Sequence, residues 1–286
     1  MTEKSNIGMG MTPEELAELR AEIREIVADF RLMDDDFMSI VFNDDTELVG
    51  FVLSIILGRD DLKVVSAKTQ VEYKSVTGRS IRLDVKAIDE NNKVYNIEVQ
   101  RSDKGAGFKR ARFYSSMIDS RMLEKSQDFD EIADTYVIFI TERDKFGRGL
   151  PIYHIERTVR ELGNEPFGDG AHIIYVNGEY RNADDPIGKL MHDFHCRKGG
   201  DMFYPPIAER LDYFKVTEGG NVQMCRSVEA LMKKVEERTE KRISRVQSIE
   251  TAQKMLEKGK IPIEDIAEYT GLSCDEVKEL AEHRSA

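Results

Sequence analysis

Ser80-Ile81-Arg82-Leu83-Asp84-Val85-Lys86-Ala87-Ile88-Asp89, then Glu90-Asn91-Asn92-Lys93, then Val94-Tyr95-Asn96-Ile97-Glu98-Val99-Gln100, is the stretch that sets the fold. Both flanks alternate apolar and polar residues, the period of a strand. The polar break between them reads as a hairpin turn. Strict alternation puts Leu83, Val85, Ile97 and Val99 on one side and Asp84, Glu98 and Gln100 on the other. Acids are depleted in strands, and like charges set close together repel unless something binds them. Two carboxylates on one face of neighbouring strands can share a hard divalent cation. That arrangement suits metal-assisted phosphodiester hydrolysis. The plain alternative is a pair of exposed strand acids.

The flanking sequence extends the pattern. Residues 46–57 read as a short helix with Leu48, Phe51, Val52, Ile55 and Ile56 buried. Strands are expected at 69–76, 80–89 and 94–100, a helix from Phe108 to Lys125, and a strand from Thr135 to Thr141. Lys104-Gly105-Ala106-Gly107 is too short for a phosphate-cradling loop and fits a strand-to-helix turn. Further on, Ile152–Leu162 reads as a helix, His172–Val176 as a strand and Ile187–Cys196 as a helix, while Tyr204-Pro205-Pro206 and Glu218-Gly219-Gly220 read as breaks.

An Asp on one strand and a Glu-x-Lys on the next is the signature of PD-(D/E)xK nucleases, and this chain carries Gln100 at the Lys position. The Ile97-Glu98-Val99-Gln100 strand end resembles the PD-(D/E)xK nuclease family of transposases, related to recombination-promoting nucleases. Phe37-Met38-Ser39-Ile40-Val41-Phe42 resembles that family's N-terminal signature. Arg110-Ala111-Arg112-Phe113-Tyr114-Ser115-Ser116 resembles its Arg-x-x-Tyr-Tyr-x-Ser helix, with Phe113 in the first Tyr position. The resemblance runs from about residue 34 to 230. It implies an α/β, restriction-endonuclease-like αβββαβ core followed by a helical C-terminal appendage. It also implies a magnesium-dependent DNA endonuclease, with manganese as a substitute. Asp84 and Glu98 are then the metal ligands, with the Val99 carbonyl as a further oxygen. Gln100 orients a water or phosphate through hydrogen bonds, without the charge of a lysine. An acid of the first core helix joins them; Glu47 is the candidate, with Asp44 and Asp45 open beside it. Arg110, Arg112 and Tyr114 are the phosphate-binding candidates, against the alternative of a helix that merely packs on the sheet.

Composition sets the bounds. The chain has 286 residues and 40% hydrophobic residues, enough for one sizeable domain and an appendage. The expected division is 1–33 as tail and helix, 34–225 as the nuclease-like domain and 226–286 as a charged helix with a C-terminal segment. No run has the length of a membrane span, and no basic-then-apolar leader opens the chain. Cys196, Cys225 and Cys274 lack paired spacing, which favours a reducing compartment and disfavours a zinc cluster. A cytoplasmic location is expected. The net charge of −12 argues against a general nucleic-acid coat. Residues 101–125 depart from that average, with seven Lys or Arg against three acids. A basic helix beside an acidic site could carry a phosphate backbone, or be an ordinary solvated face. DNA is the expected partner, and a homodimer would supply two sites for two strands. The alternative function is a catalytically inactive, nuclease-derived DNA- or protein-binding module.

The ends are read separately. Thr12-Pro13-Glu14-Glu15 opens a helix by a capping box, and its apolar stripe reaches Phe30. Residues 228–258 read as a charged strap helix. At 263–282 a short helix, the turn Thr270-Gly271-Leu272-Ser273 and a second helix resemble a helix-turn-helix half. Ala267, Gly271 and Val277 stand at its small, turn and buried positions. The second helix is acidic (Asp275, Glu276, Glu279 and Glu282 against Lys278), so a packing role is favoured over DNA reading. His192 and His195 share a helix face without a further ligand set, which favours a structural role.

Overall fold

The computed structural model describes residues 27–75, 78–101, 105–123, 126–217, 219–220 and 224. Towards the C-terminus it describes 248–249, 251–256, 261–271, 273, 277 and 280. The chain divides into two compact units, Met1–Cys225 and Arg226–Ala286.

The first unit is built around the quoted hairpin. Strands β2 (Ile81–Asp89) and β3 (Val94–Gln100) pair antiparallel, from Ile88 opposite Val94 to Val85 opposite Ile97. Asp89 organises the turn: its Oδ1 accepts the N–H groups of Asn91 and Lys93, both at 2.9 Å. Asn92 takes a left-handed φ of 61°, a conformation that asparagine tolerates better than most residues. Strand β1 (Val64–Tyr73) lies antiparallel outside β2. Strand β4 (Thr135–Thr141) runs parallel to β3 on its other side. The sheet continues through β8 (Ala171–Asn177), parallel to β4, to β5 (Ile152–Ile155), antiparallel to β8. The order is β1-β2-β3-β4-β8-β5, with a two-stranded ribbon of β6 (Thr158–Val159) and β7 (Glu165–Pro166) beside it.

Helices cover the sheet. Helices α1 (Asp35–Phe42) and α2 (Thr46–Leu57) precede β1 and pack on it, and α1 also meets β2 and β3. Asp45 caps α2 by accepting from Leu48 N–H at 3.0 Å, and Gly58 closes it in the left-handed region. Helix α3 (Phe108–Asp119) crosses from β3 to β4 and packs on β4 and β8. With both faces covered, β3 is buried from Val94 to Val99. This is a mixed α/β structure of the restriction-endonuclease-like kind, with the helix, three strands, helix, strand order that the resemblance implies.

Several elements differ from the sequence reading. Residues 152–162 are not a helix but β5, β6 and a 3₁₀ turn. Ile152-Tyr153-His154-Ile155 pairs with the exposed edge of β8, a long-range contact that local periodicity cannot reveal. Helix α3 ends at Asp119, short of Lys125, because Arg121 N–H turns back to Ile118 O and Met122 N–H to Asp119 O. Pro205 and Pro206 open helix α5 (Pro205–Val216) rather than break the chain, since proline suits a first helical turn. The first strand starts at Val64, before the expected 69. Most of the expected helices at 12–30, 228–258 and 274–282 lies outside the described residues.

Strict alternation also fails along β2. Leu83 and Ile81 join the cluster under α3 with Val94, Ala111, Tyr114 and Phe139. Val94 shares the pleat of Glu98, and Phe139 is paired with Glu98. Ile88, pleated with Val94, packs against the same cluster. An odd and an even residue of one strand therefore face one side, so the face slips between them. Opposite this stretch Gln70 on β1 has a φ of 55°, while the β1/β2 register runs unbroken from Thr69 opposite Val85 to Val71 opposite Leu83.

In the C-terminal unit, helix α6 (Ile263–Thr270) ends at Gly271 with φ 69°, whose N–H donates to Ala267 O at 2.9 Å. Ala252, Ile266, Ala267 and Val277 form a buried cluster.

Helix α4 (Pro186–His195) and α5 are joined through Asp193, which is fully buried. Its two carboxylate oxygens accept the N–H groups of Phe203 and Tyr204, each at 2.8 Å. Replacing Asp193 by Ala removes the acceptor of two backbone amides and is expected to cost roughly 1–3 kcal/mol. Urea unfolding of Asp193→Ala checks this; an unchanged midpoint would refute the role.

Candidate active site

At the step after Val85 opposite Ile97, side chains take over from the backbone ladder of β2 and β3. The Asp84 N–H donates to Glu98 Oε1 at 3.1 Å, and the Val99 N–H donates to the Asp84 carboxyl. The two acids are thus locked into neighbouring strands by reciprocal backbone bonds. Asp84 is 5% exposed and Glu98 0%, which replaces the picture of exposed strand acids with a buried pair.

Glu98 is fully engaged. Its Oε1 also accepts from Asn96 Nδ2 at 3.2 Å, and its Oε2 from Arg110 Nη2 at 3.2 Å. Arg110 reaches in from α3. Its Nη2 also donates to Tyr114 Oη at 2.8 Å, and its Nη1 donates to Gly105 O at 2.9 Å and Gln100 Oε1 at 3.4 Å. The guanidinium lies over the Tyr114 and Phe139 rings. Tyr114 Oη in turn donates to Arg82 O at 3.4 Å. By contrast, Asp84 Oδ2 is buried and has no hydrogen-bond partner among the described residues.

Burial pushes the Asp84 carboxyl well above its ordinary range, helped by the charge of Asp35 and opposed by Arg110, Arg82 and the Val99 N–H. Burial raises Glu98 too, then the charge of Asp84; the Asp84 N–H, Arg110 and Asn96 oppose the rise. A pair of acids held this way favours protonation, or a cation between them.

The structure brings Asp84, Glu98, Gln100, Arg110 and Tyr114 together. It puts the N-terminal acids elsewhere. Glu47 stands exposed in the first turn of α2. Asp44 pairs with Lys68, and Asp45 caps α2 and pairs with Arg210 at 3.0 Å. The acid whose charge reaches Asp84 is Asp35, at the start of α1. Arg101, just past β3, bonds Asp34 at 2.8 Å and ties that helix start to the strand end. The run Asp34-Asp35-Asp36 before an apolar helix is the signal that could have found it. Tyr114 is buried with its hydroxyl committed, and Arg110 is held inward on Glu98. Arg112 lies on the exposed side of α3, beside Phe113.

A second group gathers His192, Asp193 and Cys196, with one ligand atom from each within 4.8 Å of the others. Sequence spacing missed Cys196 as a neighbour of His192. The Asp193 oxygens already hold two backbone amides, and burial pushes the Cys196 thiol up to about 11. A protonated thiol and a committed carboxylate make a poor ligand set.

The donor set at Asp84 and Glu98 fits a hard divalent ion. It offers carboxylate oxygens and the Gln100 carboxamide, no sulfur, and one buried carboxylate oxygen without a partner.

Residues 44–182 match the family model described as PD-(D/E)XK nuclease family transposase. No curated protein and no solved structure matches the chain significantly. The family match supports a nuclease-type function. Among the described residues no helix is long and apolar enough to cross a membrane.

A carboxyl whose folded-state pKa is raised stabilises the fold below the ordinary carboxylate range, and that contribution is lost as pH rises towards the folded value. The metal-free protein should therefore lose roughly 1 kcal/mol per pH unit between about pH 5 and 7 from this pair. Asp84→Asn should flatten that slope and raise the melting temperature at neutral pH. Thermal melts across pH in chelator check it; a slope unchanged by Asp84→Asn would exclude the buried pair as its source.

Proposed function

Taking residues 44–182 as a PD-(D/E)XK nuclease family transposase domain, we propose that the chain is a metal-dependent DNA endonuclease that hydrolyses phosphodiester bonds. The observation that carries this reading is the buried Asp84–Glu98 pair with Asp84 Oδ2 unpartnered. Asp84 and Glu98 hold the ion, magnesium or manganese in its place. When bound, that ion supplies Lewis-acid polarisation of the scissile phosphate and lowers the pKa of the attacking water.

The chain's own residues do the rest. Asp84 gives up its proton on loading, so ion affinity rises with pH. Gln100, half-buried at the end of β3, orients a water or a phosphate oxygen by hydrogen bonds. Arg110 positions Glu98 and Gln100 from one guanidinium and neutralises Glu98 when no ion is held. Asp35 takes the place expected of Glu47 as the third acid. Arg112, exposed on α3, is the freer candidate for a phosphate, and Tyr114 acts through Arg110. The proposed domain limits are 34–225 for the nuclease-like part and 226–286 for the appendage. A homodimer would serve both DNA strands, and the spacing of the cysteines in the sequence favours the cytoplasm.

One observation favours a second reading, a nuclease-derived DNA- or protein-binding module without catalysis. Both Glu98 oxygens already have partners, Arg110 among them.

Incubation of supercoiled plasmid with the purified protein and magnesium or manganese separates the two. Nicking is expected from the wild type and is abolished in Asp84→Ala and Glu98→Ala. Asp35→Asn is expected to slow nicking at least tenfold, on the order of one lost electrostatic contact, while Glu47→Gln does not. No nicking, with no ion binding by calorimetry, would replace the nuclease by the binding module.

A further inference from the structure

The carboxyl ends of the three parallel strands open onto a cavity of about 800 Å³. Five arginines line it: Arg31, Arg101, Arg143, Arg181 and Arg197, with His195 at its wall. Each of the three strands delivers one of them. Arg101 follows the end of β3, Arg143 lies two residues beyond β4, and Arg181 four beyond β8. The carboxyl ends of parallel strands are where open α/β sheets bind ligands.

Charge in this basin runs against the rest of the chain. The protein carries −12 overall, yet only Glu142 and Glu179 oppose the five arginines of the lining. Arg31 and Arg101 are held by Asp34 and Glu142, and Arg197 meets Asp29 at 3.5 Å. Arg143 and Arg181 are exposed and have no carboxylate partner among the described residues. Arg181 is steered by a single bond from Nε to Gly178 O at 3.4 Å. His195 registers the local field. Its Nδ1 bonds Met191 O at 2.8 Å, and its buried Nε2 has no partner among the described residues. Burial first, with the charges of Arg181 and Arg31 adding to it, holds the imidazole below its ordinary pKa, against the Met191 bond and the charge of Glu142.

The basin also adjoins the acidic pair. Arg101 is the residue after Gln100, and the Arg101–Asp34 bond lies next to Asp35, whose charge reaches Asp84. Planar guanidiniums arranged around a concave surface match phosphate oxygens in geometry and charge. Repeated phosphates along a strand would let several arginines act at once, releasing counterions at each.

We propose that this arginine basin binds the phosphate backbone of the nucleic-acid strand beyond the scissile position, with Arg143 and Arg181 as its principal contacts. The assignment of the strand to a scissile position rests on the nuclease reading; the phosphate chemistry of the basin stands on its own lining. The basin gives substrate grip without sequence reading, because no base edge need be touched.

The test measures binding of a labelled duplex oligonucleotide by fluorescence anisotropy in metal-free buffer over a range of salt, with plasmid nicking measured on the same preparations. The variants are Arg143→Ala/Arg181→Ala, the milder Arg143→Gln/Arg181→Gln, and Lys63→Ala/Arg157→Ala as a charge-matched control at the opposite sheet edge. Circular dichroism melts establish folding, and the Gln pair replaces the Ala pair if the latter unfolds. The basin variants should bind at least about tenfold more weakly, with the slope of log affinity against log salt reduced by about 1.8 for two lost contacts. The control should do neither. Equal losses in control and basin variants, or unchanged binding in the basin variants, overturn the proposal; nicking by the wild type would then leave the nuclease reading intact. Binding lost through Arg143 and Arg181 in a protein that never nicks supports the basin and removes the nuclease. Displacement of the duplex by inorganic phosphate at equal phosphate concentration would overturn the strand assignment in favour of a small-anion site.

Discussion

Two carboxylates are buried side by side where β2 and β3 stop pairing through their backbones. Each accepts the other strand's amide, Glu98 from Asp84 and Asp84 from Val99. Burying one such charge is costly, and burying two together more so, unless a proton, a guanidinium or a cation answers them. Much of the surrounding structure answers that demand. Arg110 comes from the crossover helix to meet Glu98, and Asn96 from the same strand supports it. Tyr114 holds Arg110 and is itself held by the Arg82 carbonyl. The helix that covers the sheet is therefore also the element that neutralises its interior acids.

The topology explains why this pair lies at the edge where several elements converge. β3 is central, covered on both faces, and ends beside the carboxyl ends of β4 and β8. Parallel strands put their following loops on one edge, so residues far apart in the chain converge there. Asp35 arrives from α1, Gln100 and Arg101 from β3, Arg143 from β4 and Arg181 from β8. Acid and base are segregated within that edge, with carboxylates inside the sheet and guanidiniums around the adjoining basin.

The sequence made some of this legible. The hairpin, its turn at Glu90–Lys93, the order of elements from Thr46 to Thr141 and the acids Asp84 and Glu98 all follow from short-range periodicity and turn chemistry. The reading failed where distant pairing decides the state. Ile152–Ile155 is a strand only because β8 offers an edge, and Pro205-Pro206 opens a helix whose start is satisfied by Asp193 ten residues earlier. Glu47 was the natural acid by its place at a helix start, yet α1 rather than α2 brings an acid whose charge reaches Asp84.

By itself the sequence determined the central hairpin and which acids would share its strands, because those properties depend on neighbours one to four positions away. Tertiary structure alone decided that the acids are buried, that Arg110 is turned inward on Glu98, and that the charge of Asp35 reaches Asp84. It alone decided that five arginines separated by as many as 166 positions line one basin. The physical reason is the same in each case. Burial, field and convergence are properties of what the sheet and helices bring together across space, and periodicity along the chain carries no record of them.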